Sequence, residues 1–395
     1  MPGNDVAVVV PVFREADNIA SLISELHHYL NAYDWEVVFV DDDSDDGTAT
    51  AVRSYARADE RVRLVLRVHE RGLASAATAG MLTTKSLCIV VMDGDGQHDP
   101  RYIPYLVGPI VREEADIVSA ARGLDQLDDA ALNLRRRHLS SFANRITVAF
   151  LRRPVMDPMS GFFAISSKAF HQCVRRLSAG GFKLLLDLLI SNPSMRHREI
   201  AFEFRKRLAG KSKLDLANAW QLVCFLISKA LGSALPPAFI SFGLVGGSGV
   251  LVHFAILYPA FWSGWPFTTG QLIAALVASA WNFVFNNSLT FRDRQLSGWG
   301  LLTGFAKYIA IASVGIAANV AVASASFNNF HGLVALSALA GIAVDAVWKY
   351  CMSNLLVWQN TLVGISESGL RGEQSPPLYL RGTEQSYQSF RSTPR

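Results

Sequence analysis

Two acidic clusters are the residues of this chain best suited to chemistry. Asp93 and Asp95 flank Gly94 in the segment DGDGQH, and five aspartates crowd between Asp41 and Asp46. Like charges packed so closely repel one another unless a positive group joins them. A divalent cation with a phosphorylated ligand would supply that charge, since Mg²⁺ prefers oxygen ligands and shares its coordination shell with substrate phosphates. The alternative is an ordinary acidic turn, because a DxD pattern by itself is common.

Both clusters follow short β-branched runs that predict strands. The predicted strands cover residues 6–12, 36–41, 62–67, 86–92 and 116–120, and the predicted helices cover about 17–31, 48–58, 73–84 and 100–113. This alternation predicts an α/β domain with a mostly parallel sheet covered on both faces. Ligands of such sheets bind beyond the carboxyl ends of the strands. The two clusters and the segment Pro11 to Glu15 all stand at such ends.

The charged residues are distributed unevenly along the chain. Only 18% of the 395 residues are charged, against about 25% in a typical soluble domain. Residues 236–360 account for most of this shortage of charged residues. They include four basic and two acidic side chains, namely Arg292, Arg294, Lys307, Lys349, Asp293 and Asp345. We expect a soluble domain at 1–213, an interfacial helix at 214–237, an all-α membrane domain at 238–360 and a disordered cytoplasmic tail at 361–395.

Residues 230–291 contain no Lys, Arg, Asp or Glu. A membrane helix needs about 20 apolar residues, and the pattern predicts four spans, near 239–261, 269–291, 303–326 and 333–357. Arg292 and Arg294 follow the second span, so the positive-inside rule places that loop, both termini and the soluble domain on the cytoplasmic side. The alternative is a helical hairpin buried in a large soluble core. In the last span, Asp345 and Lys349 are spaced for a mutual ion pair.

The motifs, taken in their order, carry a specific resemblance. The segments are PVFREADNI, VVFVDDDSDDGT, VMDGDGQHDP, MSGFFAISSKAF and RKRLAGKSKL. Over about residues 5–215 the chain resembles family 2 glycosyltransferases of the polyprenyl-phosphate (dolichol-phosphate) mannosyl- and glucosyltransferase branch. That resemblance implies a GT-A-like nucleotide-sugar-binding domain. The segments SFGLVGGSGVLVHF and WNFVFNNSLTF resemble the GtrA-like four-helix membrane domain over about residues 238–358.

The resemblance also implies roles for matching residues. The expected nucleotide-sugar site comprises Pro11, Phe13, Glu15, Val40, Asp42, Asp93, Gly94, Asp95, Gln97, Arg207 and Lys213. Asp42 is expected to face the base. Asp93 and Asp95 are expected to hold Mg²⁺ or Mn²⁺, with Gln97 beside them. Gly94 stands where the family usually has alanine, and Phe13 stands where tyrosine is common, which keeps stacking but removes a phenolic hydrogen bond.

The implied reaction transfers a hexose, with inversion, from a nucleotide diphosphate to a polyprenyl phosphate. Asp95, Arg207 and Lys213 are the implied catalytic residues, because a metal and two cations can stabilise the leaving diphosphate. The acceptor phosphate is already anionic near neutral pH, with a second pKa of about 6, so it needs cations rather than a strong base.

The acceptor phosphate is assigned to three side chains. Arg136 and Ser140 share one face of a predicted helix, and Arg122 follows the fifth strand. The alternative for the run of arginines at 135–137 is a solvated patch or an anchor to anionic lipid. Residues 138–153 and 214–231 are further predicted to be interfacial helices, with core packing as the alternative for the second.

Several alternatives stay open. GDP-mannose is favoured as donor because the loop at 207–213 and the DGDGQH segment look most like the mannosyl branch, with UDP-glucose as the alternative. A processive polysaccharide synthase is disfavoured because the chain lacks a QxxRW motif. A non-enzymatic role in moving or assembling a lipid-linked sugar is the remaining candidate for the membrane domain.

The net charge of +4 is spread out, which gives no case for a nucleic-acid partner. His98 is either a metal ligand or a support for one.

Overall fold

The computed structural model divides the chain into two compact units, Met1–Lys213 and Leu214–Leu362. The residues that it describes are 5–68, 71–122, 147, 150–151, 153–178, 183–203, 205, 216–232, 234–329 and 334–358. Arg136, Ser140, Arg207 and Lys213, together with most of the expected interfacial helix at 138–153 and the tail at 361–395, lie outside the described residues.

The first unit is an α/β domain. Its strands are β1 (Val6–Val12), β2 (Trp35–Asp41), β3 (Val62–Leu66), β4 (Cys88–Val91), β5 (Ile117–Arg122), β6 (Phe163–Ser166) and β7 (His197–Phe202). Its described helices are α1 (Ala16–Tyr29), α2 (Thr48–Ala56), α3 (Leu73–Thr83), α4 (Ile103–Val111), α5 (Ser167–Cys173) and α6 (Leu184–Ser191).

The strands form one seven-stranded sheet in the order β3-β2-β1-β4-β6-β5-β7. All pairs are parallel except those of β6, which runs antiparallel to both β4 and β5. The expected mostly parallel sheet is confirmed, but β6 makes it mixed. Neither β6 nor β7 was predicted, because β6 has only four residues and β7, HREIAF, begins with three polar residues and lies at the edge of the sheet.

Burial of both faces explains the continuous apolar runs of the central strands. Every residue of β1 and of β2 is buried. Residues Val6, Val8 and Val10 pack on one core with α1, α2 and α4, and Val9 packs on the other with α3, α5 and α6. The parallel register aligns the carboxyl ends of β1, β2 and β4, so the segments that follow them meet at one edge of the sheet.

The second unit is helical. Its helices are α7 (Leu216–Ala230), α8 (Pro237–Trp262), α9 (Phe267–Phe285), α10 (Trp299–Asn329) and α11 (Val334–Met352). The last four coincide with the four predicted spans. Within the described residues, Pro237–Trp262 and Leu272–Thr290 are the helices long and apolar enough to cross a membrane. The number of crossings therefore stays a prediction.

Helices α9 and α11 end in the same way. Each continues into a π-helical turn, Asn286–Thr290 after α9 and Ser353–Val357 after α11. The N–H of Phe291 donates to the Asn286 carbonyl at 2.8 Å, and the N–H of Trp358 donates to the Ser353 carbonyl at 2.9 Å. The Phe291 and Trp358 rings then stack with centroids 4.3 Å apart and planes 15° apart. The hairpins α8–α9 and α10–α11 are thus joined by equivalent aromatic residues.

Each hairpin also packs a polar side chain against a glycine. A Cβ on Gly315 of α10 would collide with Asp345 Oδ1, and a Cβ on Gly249 of α8 would collide with the Asn282 side chain. Lys349 Nζ lies 2.7 Å from Asp345 Oδ2, which confirms the predicted ion pair. The glycines allow the two helices of each hairpin to approach closely where these polar groups lie.

Candidate functional site

An open cavity lies at the carboxyl ends of β1, β2 and β4. It is lined by Pro11, Val12, Phe13, Glu15, Asp42, Arg71, Gly72, Leu73, Ala76, Asp93, Gly94 and Asp95. Parallel strands explain this assembly, because their ends lie side by side although the segments are far apart in sequence. The cavity brings together acidic side chains, an aromatic ring and a glycine-containing loop.

Seven of the expected donor-site residues line this cavity together, namely Pro11, Phe13, Glu15, Asp42, Asp93, Gly94 and Asp95. Val40 does not, because it is fully buried in the core below the cavity, where its Cγ2 fills the space beside Gly80. Gln97 is not among the lining residues, but its N–H donates to Asp95 Oδ1 at 3.0 Å. Arg122 ends β5, and its side chain is outside the described part of the chain.

Sequence reasoning missed the wall formed by Arg71, Gly72 and Leu73. These residues follow β3, so they stand at the carboxyl end of a parallel strand like the segments that were recognised. The guanidinium of Arg71 lies over the Phe13 ring, 4.7 Å from its centroid. Phe13 is 39% exposed, which makes it a flat apolar surface at the mouth of the cavity. An aromatic ring and a guanidinium can together hold a planar group by stacking.

Asp93 and His98 support each other at the floor of the site. The backbone N–H of Asp93 donates to His98 Nδ1 at 2.8 Å, and His98 Nε2 lies 3.8 Å from Asp93 Oδ2. The His98 ring is buried and stacks on Phe162 with centroids 5.0 Å apart. Because Nδ1 already accepts a backbone hydrogen bond, the geometry favours a supporting role for His98 over a direct metal ligand.

Two glycines, Gly94 and Gly161, lie beside the carboxylates of this loop or beside the strand that supports it. A Cβ on Gly94 would lie 2.8 Å from Val12 Cγ1, so the loop passes against β1 at a distance that any side chain would disturb. A Cβ on Gly161 would lie 3.4 Å from Asp93 Oδ2 and 3.4 Å from His98 Cε1. The distance at Gly94 is a close approach that requires glycine, whereas the distances at Gly161 are ordinary van der Waals contacts.

Gly94→Ala tests this close approach. The added methyl group meets Val12, so we expect the Asp93–Asp95 loop to shift and sugar transfer to fall by about tenfold, the cost of a small misplacement. The matched variant Gly94→Ala/Val12→Ala removes the obstructing methyl groups and should recover most of the activity. Equal activity of the two variants, measured with labelled nucleotide-sugar, would show that the contact does not set the loop.

Four carboxylates of the cluster from Asp41 to Asp46 have partners within the protein. Arg14 binds Asp45 through two hydrogen bonds of 2.7 Å, which holds the pKa of that carboxyl below its usual value. The Thr48 hydroxyl donates to Asp46 and lowers its pKa. Asp41 is buried, and burial raises its pKa although Ser44 donates two hydrogen bonds to it.

The second arginine of this cluster is Arg67, whose Nε lies 3.1 Å from Asp42 Oδ1. The expectation that a cation and a phosphorylated ligand add positive charge to this cluster stays a prediction. Two arginines that the sequence analysis did not single out already supply positive charge to this cluster. They are Arg14, which follows β1, and Arg67, which follows β3.

The segment after β7 approaches the DGDGQH loop. The N–H of Arg205 donates to the Gln97 carbonyl at 3.2 Å, and its guanidinium lies 2.9 Å from Asp99 Oδ1. Asp99 also accepts the N–H of Arg101 at the start of the turn that precedes α4. These contacts tie the end of β7 to the loop that carries Asp95.

Comparison with known proteins identifies both units. The model of the family "Glycosyl transferase family 2" matches residues 7–174, and that of the "GtrA/DPMS, transmembrane domain" matches residues 241–358. The chain is similar to a dolichol-phosphate mannosyltransferase of Mycosarcoma maydis, with 34% identity over 53% of this chain and 73% of that protein.

Two further similarities differ in extent. A dolichol-phosphate mannosyltransferase of Pyrococcus furiosus is 28% identical over 89% of this chain and 99% of its own length. Among solved structures, a mannosyl-3-phosphoglycerate synthase of Rubrobacter xylanophilus aligns with a TM-score of 0.46 and 17% identity, covering 60% of this chain and 81% of that one.

The chain belongs to glycosyl transferase family 2. It is a membrane protein whose α/β domain is joined to a GtrA-like transmembrane domain. More narrowly, it is a glycosyltransferase of the dolichyl-phosphate mannosyltransferase type.

Proposed function

We propose that this protein transfers mannose from GDP-mannose, with inversion, to a polyprenyl phosphate at the cytoplasmic face of the membrane. One observation carries the proposal. Asp93 and Asp95 share a single open cavity with Phe13 and Asp42. Two carboxylates suited to a diphosphate-bound cation thus lie beside a ring and a carboxylate suited to a nucleobase.

The choice of donor and acceptor rests on the relatives. Proteins similar to this chain over most of their own length are named dolichol-phosphate mannosyltransferases. UDP-glucose is the second candidate donor, because the mannosyl and glucosyl enzymes share the motifs in which the expected site residues stand. Residues Arg122, Arg136 and Ser140 remain the proposed partners of the acceptor phosphate, and Arg207 and Lys213 those of the leaving diphosphate.

The carboxylates fit Mg²⁺ or Mn²⁺. The described residues include no group of three or more His, Cys, Asp or Glu that could hold a metal, so Asp93 and Asp95 would leave coordination positions for water and for donor phosphates. That division is typical of Mg²⁺ sites. The space beside Gly161 keeps the Asp93 carboxylate accessible, with its side chain 35% exposed. Bound there, the cation would stabilise charge on the leaving nucleotide.

The residues of the chain perform the remaining tasks. Phe13 stacks on the base, Asp42 accepts its N–H groups, and His98 and Gln97 hold the backbone and carboxylate of the two aspartates in place. Arg205 keeps the segment that leads to Arg207 beside the DGDGQH loop. The acceptor phosphate needs no deprotonation by a general base, because it is anionic near neutral pH.

The membrane arrangement forms part of the proposal. We assign the four long helices to four spans, with both termini and the Arg292–Arg294 turn on the cytoplasmic side. Helix α7 is proposed to lie at the interface. Its Trp220 Nε1 donates to Ser241 Oγ of α8 at 2.7 Å, which ties it to the first span.

A thermal-shift panel tests the donor. We expect guanosine diphosphate with Mg²⁺ or Mn²⁺ to raise the melting temperature of the full chain in detergent, because a ligand that binds only the native state stabilises it. Ligand at 100 times its dissociation constant adds about 2.7 kcal/mol. A larger rise in melting temperature with uridine diphosphate would favour UDP-glucose as the donor. No rise with either nucleotide would count against the proposed function.

A further inference from the structure

Asp42 is held by a closed ring of polar contacts. Arg67 Nε lies 3.1 Å from Asp42 Oδ1, and the N–H of Gly72 donates to Asp42 Oδ2 at 2.8 Å. Ser75 Oγ donates to the Gly72 carbonyl at 2.9 Å and accepts Arg67 Nη1 at 3.0 Å. The ring therefore joins the end of β2, the end of β3 and the start of α3.

Arg67 is unusual in its burial. Its side chain is 4% exposed and that of Asp42 is 9% exposed, although charged side chains are almost never fully buried unless they are paired. The N–H of Arg67 also donates to the Asp41 carbonyl at 2.8 Å, so its backbone is fixed beside the same strand end. Its guanidinium is the cation that faces Asp42 from beneath the cavity.

Two members of this ring of contacts, Asp42 and Gly72, form part of the cavity wall. Asp42 and Gly72 both line the cavity, whereas Arg67 does not. The N–H of Gly72 donates to one carboxylate oxygen and the Arg67 guanidinium faces the other, so the two contacts orient the Asp42 carboxylate. Each oxygen has lone pairs left for a ligand. A carboxylate oriented in this way can accept two neighbouring N–H groups, as guanine presents, or the single N–H of uracil.

We propose that Arg67 is a positioning residue of the donor site, which holds the Asp42 carboxylate aimed at the nucleobase without touching the ligand. This inference rests on the proposed function for the ligand class, a nucleoside diphosphate. It assigns base affinity and selectivity to a buried residue behind the cavity wall. Without Arg67, the buried Asp42 carboxylate would lose a cation that faces it, and its orientation toward the nucleobase would be less fixed.

A matched control is available on the same strand. Arg63 Nη1 lies 2.7 Å from Glu36 Oε2, and its Nη2 donates to the Thr83 carbonyl at the end of α3. Arg63 thus joins β2, β3 and α3 at the end of the sheet remote from the cavity, as Arg67 joins them near it. Arg63→Met removes an arginine–carboxylate pair without altering Asp42.

The test measures the dissociation constants of guanosine diphosphate and uridine diphosphate, each with Mg²⁺, for the full chain in detergent. We expect Arg67→Met to weaken binding of the nucleotide that the wild type prefers by at least tenfold. The ratio of the two dissociation constants should also move closer to one. In turnover, the donor KM should rise more than kcat falls. Arg63→Met should change affinity less than twofold, with melting temperatures recorded for both variants.

A double-mutant cycle separates positioning from general stability. If Arg67 acts through Asp42, adding Arg67→Met to Asp42→Asn should change affinity less than twofold. Additive losses, or equal affinities of Arg67→Met and Arg63→Met, would overturn the proposal. Should Arg67→Met fail to fold, Arg67→Lys keeps the charge but not the forked geometry, and an affinity equal to wild type would overturn it. If the wild type binds neither nucleotide, the proposed function itself fails.

Discussion

Replacing Asp95 with Asn should reduce sugar transfer to polyprenyl phosphate by about a thousandfold. The substitution removes one of the two carboxylates proposed to hold the cation. A Lewis-acid metal supplies several kcal/mol of charge stabilisation, and each ~1.4 kcal/mol corresponds to a factor of ten in rate. The amide oxygen of asparagine can still accept the Gln97 N–H, which donates to Asp95 Oδ1. The melting temperature should therefore change little.

Asp43→Asn is the matched control for this prediction. Asp43 lies in the other acidic cluster, is exposed and does not line the cavity. Its φ of +61° is a conformation that asparagine adopts readily. Membranes that carry each variant would be given labelled nucleotide-sugar and Mg²⁺ or Mn²⁺, and the lipid-extractable label would be counted. Full transfer by Asp95→Asn, or an equal loss in both variants, would contradict a specific metal role.

Trp358→Ala should destabilise the helical unit by about 3–5 kcal/mol, the range for removal of a large buried aromatic side chain. Trp358 is fully buried and stacks on Phe291. Its Nε1 donates to Asn287 Oδ1 at 2.9 Å, and its carbonyl accepts Arg294 Nη1 at 2.9 Å. The loss combines a cavity, a missing hydrogen bond to Asn287 Oδ1, which still accepts the N–H of Leu296, and a missing contact between the two hairpins.

Trp299→Ala provides the comparison, because Trp299 is 84% exposed. Thermal unfolding of both variants in the same detergent, followed by near-ultraviolet circular dichroism, should show a clear drop in melting temperature for Trp358→Ala and almost none for Trp299→Ala. Equal melting temperatures would mean that the stacked rings do not join the hairpins. The α/β domain should keep its nucleotide affinity in both variants.

Many residues of the candidate site could be predicted from the order of motifs and strands in the sequence. The runs of buried valines predicted β1 and β2, and the parallel alternation placed Asp42, Asp93 and Asp95 at one edge of the sheet. The structure brings these residues into one cavity with Phe13 and Glu15. Val40 shows the limit of that reasoning, since strand alternation turns its side chain into the core. The catalytic and metal roles themselves remain proposals.

Local sequence patterns determined the first five strands, the long helices and the charge-free stretch, because these depend on neighbouring residues and on period. The tertiary structure decided the antiparallel insertion of β6, the π-helical ends of α9 and α11, and the pairing of Arg67 with Asp42. The strand insertion and the Arg67–Asp42 pair depend on contacts between segments that are distant along the chain. A buried arginine looks like any surface arginine in a sequence, since only packing decides which carboxylate it faces and whether water reaches it.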